Sequence, residues 1–150
     1  MRNPWKRLPA KRSKRRDRRG AALIEFAIVL PVLVTIVLAC VDFGRFAYTE
    51  IDVTNAARVG AEFGSLHPYT TNTLSQWQTQ IHTLVDNELK NIRNYNTNLL
   101  TLPNPVVTTD ADGQRRVKVS VTYPFKTLVS WPFLPSNVNI QRTTEMRIIR

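Results

Sequence analysis

The chain has 150 residues, which suits one compact domain and leaves little room for two. Its formal net charge is +10, but ten of its 21 Lys and Arg lie in residues 1–20 beside one acid, so the remainder is almost neutral. The one cysteine, Cys40, excludes an intramolecular disulfide, so packing and backbone hydrogen bonds must hold the fold.

The basic run over residues 1–20 has two interpretations. Clustered Lys and Arg can bind nucleic acid by releasing counterions from its phosphates. Directly before an apolar segment, such a cluster is typical of a cytoplasmic leader that sets membrane topology. We therefore predict a basic cytoplasmic leader and no nucleic-acid partner. Salt-sensitive DNA binding that depends on these residues would reverse that choice.

The next segment, residues 21–41, is apolar apart from Glu25. As a helix it spans roughly 32 Å, close to the roughly 30 Å hydrocarbon core of a bilayer. Since Lys and Arg crowd its amino-terminal side, residues 1–20 should stay in the cytoplasm and residues 42–150 should be exported. The sequence predicts a single-pass protein of the bacterial cytoplasmic (inner) membrane, with the lipid bilayer around a transmembrane helix at 21–41.

Two other targeting patterns compete with this anchor. A cleaved signal peptide has an apolar core of about 7 to 15 residues, and the present run is longer. The stretch Val37–Cys40 loosely resembles a lipoprotein box, although Leu38 fits it poorly. The alternative is therefore a signal-anchored envelope protein, or a lipoprotein modified at Cys40, with an exported binding domain.

Two residues depart from a plain membrane anchor. A carboxylate such as Glu25 costs roughly 2.5 to 3.5 kcal/mol at the centre of a membrane helix, and less near its end. The lipid headgroups, Arg18 or Arg19, or a charge created by processing would compensate it. Pro31 deletes a helical hydrogen bond and predicts a helix kink. That kink either eases extraction of the helix from the bilayer or is only structural.

The residues around Glu25 resemble a known processing site. In type IV prepilins a peptidase cuts after a glycine and an acid lies five residues beyond the cut, which is the spacing of Gly20 and Glu25. A longer pattern resembles the TadE-like pseudopilins of tight-adherence (Tad, or Flp) pilus systems, over about residues 18–62. Its parts are Arg19–Ala27, Pro31, Asp42-Phe43-Gly44-Arg45 and Ala56-Ala57-Arg58-Val59-Gly60-Ala61.

The resemblance implies a minor pseudopilin, because the chain is too long for the short major pilin of these systems. A prepilin peptidase would cut between Gly20 and Ala21, while Glu25 and Phe26 would act in assembly. The implied partners are that peptidase, other pilins and pseudopilins, and the pilus assembly platform, with adhesion or secretion as the outcome. The cut would leave a largely protonated α-amino group on Ala21, which can pair with Glu25 of the same or a neighbouring subunit.

Beyond the membrane segment the helix is predicted to continue from Asp42 to Phe63 and to end at Gly64, before Pro68. Small residues recur along it at steps of four, three and four, which places them on one face. Such a stripe permits close packing, either on this protein's own sheet or on another helix, as in Gly-xxx-Gly contacts. The helix-packing residues are Val53, Ala57, Gly60 and Gly64.

A second helix is predicted from Leu74 to about Ile92, with Thr73 and Gln76 as a capping box at its start. His82 lies one step off the apolar face and is interpreted as a solvated histidine rather than a ligand. The apolar face consists of Trp77, Ile81, Leu84, Val85 and Ile92.

An antiparallel hairpin is predicted around Asp112-Gly113, a strong signal for a two-residue turn. This turn would place Asp110 opposite Arg115 as a favourable charge pair, and Val106 opposite Val119 as an apolar pair.

Alternating apolar residues define the strand faces. Residues 131–135 are rich in proline and should form a loop or an edge. The second strand presents Val117, Val119, Val121 and Tyr123, and a third strand presents Val138, Ile140, Met146 and Ile148. The predicted class is therefore α+β and pilin-like: a long amino-terminal transmembrane helix continues into an exported domain with a second helix and a small antiparallel sheet.

No catalytic or metal site is predicted. His67, His82 and Cys40 have no metal-ligand spacing, and the exported acids are scattered, with no nucleophile beside a base. We therefore expect a structural or assembly protein that is not an enzyme and that uses no cofactor and no small-molecule substrate.

Overall fold

The computed structural model describes residues 17–132 and 135–149 of the chain. Most of the predicted leader, residues 1–16, lies outside this description. The chain divides into two units, residues 1–39 and residues 40–150.

The amino-terminal unit consists of the first part of helix α1, which runs from Asp17 to Leu66. Residues 20–39 are exposed along the whole of this part. Among the helices of the described chain, α1 is the one long and apolar enough to cross a membrane. Pro31 lies inside it, and the Thr35 hydroxyl donates a hydrogen bond to the Pro31 carbonyl at 2.8 Å. The kink predicted at Pro31 stays a prediction.

The second unit contains the rest of α1, helix α2 (Leu74–Leu89), a short 3₁₀ helix (Thr97–Leu99) and three strands. Strands β1 (Val106–Thr109), β2 (Arg115–Lys126) and β3 (Asn137–Arg147) form an antiparallel sheet in the order β1-β2-β3. The predicted α+β class, with a long apolar helix, a second helix and a small antiparallel sheet, is confirmed.

The core of this unit lies between the sheet and the two helices. Val117, Val119, Val121 and Tyr123 on β2 are all buried, and Phe125 continues the alternation, so the period-two prediction is confirmed. The predicted face of the third strand is also correct. Ile140 on β3 and Ile148, which comes directly after β3, are buried in the same cluster, while Val138 and Met146 are partly buried. From the helices the buried residues are Val53, Ala56, Ala57, Ala61, Trp77, Ile81, Val85 and Leu89.

The predicted ends and cap of the helices need correction. Helix α1 ends two residues later than expected, at Leu66, and the backbone N–H of His67 still donates to the Phe63 carbonyl. Helix α2 begins at Leu74 as predicted but ends at Leu89. The capping box is wrong, because the Thr73 hydroxyl accepts the N–H of Thr70 at 2.9 Å and makes no cap hydrogen bond to the helix. Thr73 thus closes the preceding turn instead.

The buried face of α2 also differs from the predicted one. The buried residues of α2 recur at every fourth position and include Leu89, which was not predicted. Leu84, which was predicted to be on this face, is only half-buried. Ile92 lies beyond the helix but packs against the core. His82 is only half-exposed, and its Nε2 is buried with no hydrogen-bond partner among the described residues, so the solvated interpretation is wrong for that atom.

The hairpin register is shifted by one residue from the prediction. Thr109, rather than Asp110, lies opposite Arg115. The connection is a three-residue loop, in which the N–H of Asp110 donates to the Gln114 carbonyl and Gly113 has a positive φ of 74°. A glycine in that conformation forms a β-bulge, which makes the hairpin loop one residue longer than a two-residue turn. Asp110 pairs with Arg116 instead of Arg115.

The shift also exchanges the apolar partners. Val107 lies opposite Val117 and packs against the core, while Val106 is 54% exposed. A one-residue slip moves every side chain of a strand to the other face, which is why the predicted Val106–Val119 pair does not form.

Candidate assembly site

The predicted processing site lies near the amino-terminal end of the described chain. Gly20 and Ala21 are both helical and exposed, and a Cβ added at Gly20 would meet no atom within 4 Å. Glu25 follows Ala21 by four residues, so the two lie on one face of the helix, about 6 Å apart along its axis. Glu25 and Phe26 are exposed too. All four residues are therefore exposed on the surface of the helix.

A second group of contacts centres on Asp42, the residue directly after the apolar run. Its side chain accepts the backbone N–H of Leu128 at 2.9 and 3.2 Å, that of Val129 at 3.5 Å, and the indole N–H of Trp131 at 3.1 Å. Arg45 adds an ion pair at 3.0 Å from the next turn of α1. One carboxylate thus holds the start of the loop between β2 and β3 against α1. We call this contact the Asp42 latch.

Burial and hydrogen bonding act on Asp42 in opposite directions. Burial leaves the residue only 6% exposed and by itself raises the pKa of the carboxyl group. The donors from Leu128, Trp131, Val129 and Arg45 outweigh burial, so the net pKa of Asp42 lies below its ordinary value. The charged form is therefore the one that the fold selects.

Aromatic packing stabilises the same end of the domain. The Arg45 guanidinium lies 5.3 Å from the centre of the Phe125 ring, within the range of a cation–π contact. Phe46 meets the same ring edge-on, with centroids 5.5 Å apart. The first turns of α1 after the apolar run are thus fixed to the end of β2.

The small-residue stripe packs inside the protein's own domain. Val53, Ala57, Gly60 and Gly64 are all buried. A Cβ added at Gly60 would lie 2.8 Å from a methyl group of Val85 and 3.2 Å from one of Val119. At Gly64 the nearest atoms belong to Val117 at 3.0 Å and Trp77 at 3.1 Å. The glycines are needed because α2 and β2 both approach the backbone of α1 there.

Comparison with protein families assigns the amino-terminal part of the chain. Residues 20–62 match the family model described as TadE-like protein. This segment is TadE-like. No curated protein and no solved structure matches the chain. The resemblance seen in the sequence over about residues 18–62 is therefore confirmed for residues 20–62.

The TadE-like segment contains the predicted processing motif, the apolar run, Asp42 and the first three residues of the small-residue stripe, whereas Gly64 follows it. Its Ala56–Ala61 block supplies three buried alanines and Gly60 to the core, while Arg58 remains exposed. The role of Asp42 was missed in the sequence, where it stood only as one letter of the Asp-Phe-Gly-Arg motif. The available signal was its place as the first acid after the apolar run, but its loop partners lie 86 to 89 residues away.

Two further acids of the described chain, Asp86 and Glu50, take part in structural contacts. Asp86 accepts a hydrogen bond from the Tyr95 hydroxyl at 2.6 Å, pairs with Lys90 at 3.3 Å and has a pKa below its ordinary value, chiefly because of Tyr95. Burial, followed by this hydrogen bond, raises the pKa of Tyr95 to about 12. Glu50 forms an ion pair with Arg142 of β3. Residues 17–132 and 135–149 contain no group of three or more His, Cys, Asp or Glu placed to hold a metal.

Proposed function

We propose that this protein is a minor pseudopilin of a Tad-type pilus system. A prepilin peptidase cuts after Gly20, and the shortened helix then packs with other pilins and pseudopilins at the assembly platform of the inner membrane. The leader stays in the cytoplasm and residues 42–150 are exported. The role is structural, in keeping with TadE-like pilus components, which are not enzymes.

One observation carries this proposal: the TadE-like match begins at Gly20 and includes an exposed apolar helix whose single charge, Glu25, lies five residues further on. A plain anchor gains nothing from that carboxylate, whereas a processed pilin does. Cutting the Gly20–Ala21 bond removes ten basic residues and creates an α-amino group one helical turn before Glu25. An ion pair between them makes the carboxylate tolerable in the low-dielectric interior of a bilayer or a helix bundle.

The exposed state of residues 20–39 supports the same assignment. Apolar side chains that the chain does not cover need lipid before assembly and neighbouring helices after it. One long apolar helix fits a single-pass membrane protein of a pilus system.

Mass spectrometry of the mature protein from cells that assemble the pilus tests the proposal. We expect the chain to begin at Ala21. Gly20→Ala should block this processing, because it adds a methyl group at the scissile bond and favours the helix over an unwound substrate by about 1 kcal/mol.

Gly44→Ala is the matched control, since an added Cβ there also meets no atom within 4 Å. That variant should mature normally. A wild-type chain that keeps Met1, or one that begins at a lipidated Cys40, would contradict the proposal and favour the anchored envelope protein. Normal processing of the Gly20→Ala variant would count against the assigned cut.

A further inference from the structure

The start of the loop between β2 and β3 lies beside the end of the apolar run. The Asp42 latch joins Leu128, Val129 and Trp131 to α1 at the residue that follows Val41. Helical residues rise only about 1.5 Å each. Wherever a bilayer surface meets the chain near Val41, this loop start is therefore within a few ångströms of it.

Exposed apolar side chains gather at this place. Leu128 is 62% exposed, Phe43 is 73% exposed and Val41 is 46% exposed. Val41 and Phe43 flank Asp42 in the chain, and the backbone N–H of Leu128 donates to its carboxylate. Trp131 is half-buried beside them. Tryptophan is favoured at membrane–water interfaces, because its ring is amphipathic.

The polar groups of the loop start are already satisfied from within the protein. Backbone N–H groups that face lipid without a partner are costly. Asp42 accepts the N–H groups of Leu128 and Val129 and the indole N–H of Trp131, which leaves their apolar side chains free to contact lipid.

The charges nearby suit a phospholipid surface. Lys126 ends β2 with an exposed side chain, and Arg45 is partly exposed. The carboxylate at the centre, Asp42, is buried and paired with Arg45. Lys126 is thus left to attract an anionic headgroup.

We propose that Leu128, Trp131 and Phe43 form an interfacial contact with the phospholipid headgroup region on the exported side of the membrane. This inference rests on the proposed anchoring of residues 21–41 and goes beyond it. The contact adds a second attachment to the bilayer, and the Asp42 latch holds it in place. A subunit that leaves the bilayer for a fibre gives up this contact together with the lipid around its helix.

Site-directed fluorescence of the full chain in vesicles tests the contact. Cys40→Ser removes the one native thiol, and Leu128→Cys then carries an environment-sensitive dye. The vesicles contain phosphatidylethanolamine and phosphatidylglycerol with a quencher on the lipid near the headgroup. Glu62→Cys is the matched control: it is exposed and lies beside Gly64, which packs at the opposite end of β2 from Leu128.

We expect the dye at position 128 to be quenched several-fold more strongly than the dye at position 62, with a blue-shifted emission. Asp42→Asn should reduce the difference, provided that circular dichroism shows the domain folded. Equal quenching at both positions, in protein that resists alkaline extraction from the vesicles, would refute the contact and leave the anchor intact. Release of the chain by alkaline extraction would instead refute the anchor, and the inference with it.

Discussion

The two parts of α1 differ in what covers their apolar side chains. Along residues 20–39 every residue is exposed, and the chain itself offers no partner among its described residues. From Val53 onward, the face of α1 that points toward the sheet is buried against α2 and β2. Glycines on this face leave room for the methyl groups of neighbouring valines. The first part therefore depends on lipid or another subunit, whereas the second completes its own domain. Changes in the first should affect assembly, and changes in the second should affect folding.

The largest effect is expected at Glu25. Glu25→Gln removes the charge that would pair with the processed amino terminus, so we expect pilus assembly to be lost while membrane insertion is retained. Sheared pilus fractions and alkaline extraction measure the two outcomes separately. Glu62→Gln, on the exposed face of the second part of α1, should leave both unchanged. Normal assembly of the Glu25→Gln variant would contradict the expectation that changes in the first part of α1 affect assembly.

A folding effect of intermediate size is expected at Gly60. Gly60→Val places methyl groups where Val85 and Val119 already lie, and overpacking of this kind costs about 3 kcal/mol. Urea unfolding of the full chain in detergent, followed by circular dichroism, measures the loss. In Gly44→Ala the added Cβ meets open space, so that variant should gain up to about 1 kcal/mol from helix propensity. Equal stability of the two variants would show that the stripe is not packed as described.

The smallest effect is expected at the Asp42 latch. Asp42→Ala leaves three donors of the loop without their acceptor and should cost about 2 kcal/mol. Because the pKa of Asp42 is lowered by folding, the wild-type contribution is present above the ordinary value of 3.8 and is lost as the pH falls below it.

Unfolding measured between pH 3 and pH 7 should therefore show a smaller acid dependence for the Asp42 variant than for the wild type. Asp52→Asn is the control, because burial raises the pKa of that group and its removal should not reduce stability at neutral pH. An unchanged acid dependence in the Asp42 variant would mean that the latch contributes nothing to folding.

Local patterns in the sequence were sufficient for most of the fold. The alternation of β2 depends on neighbours in the chain, so its buried face was predicted correctly. Helix α2 begins at Leu74 as predicted, although its buried face differs from the predicted one. The hairpin register failed because two turns fit Asp112-Gly113. A two-residue type I′ turn needs a positive φ at both residues, whereas of these two only Gly113 has one, as in a three-residue loop. Thr73 failed as a cap because its hydroxyl is used by the preceding turn.

The candidate site was predictable to a different extent in its two regions. The motif from Gly20 to Phe26 is contiguous, so its resemblance to pilins was visible in the residues themselves. The Asp42 latch joins a helix to a loop that is distant from it in the sequence, and no sequence periodicity connects such positions. Two of its three loop donors are backbone N–H groups, those of Leu128 and Val129, which carry no residue-specific signal.

The spacing of the latch in the chain also fixes an order of events during synthesis. Asp42 precedes Leu128 by 86 residues and Trp131 by 89. A chain made from its amino terminus therefore presents this carboxylate to solvent well before any of those loop donors has been translated. The latch therefore closes only after residues 128–131 have been made, and a nascent chain arrested before Leu128 would lack this closure.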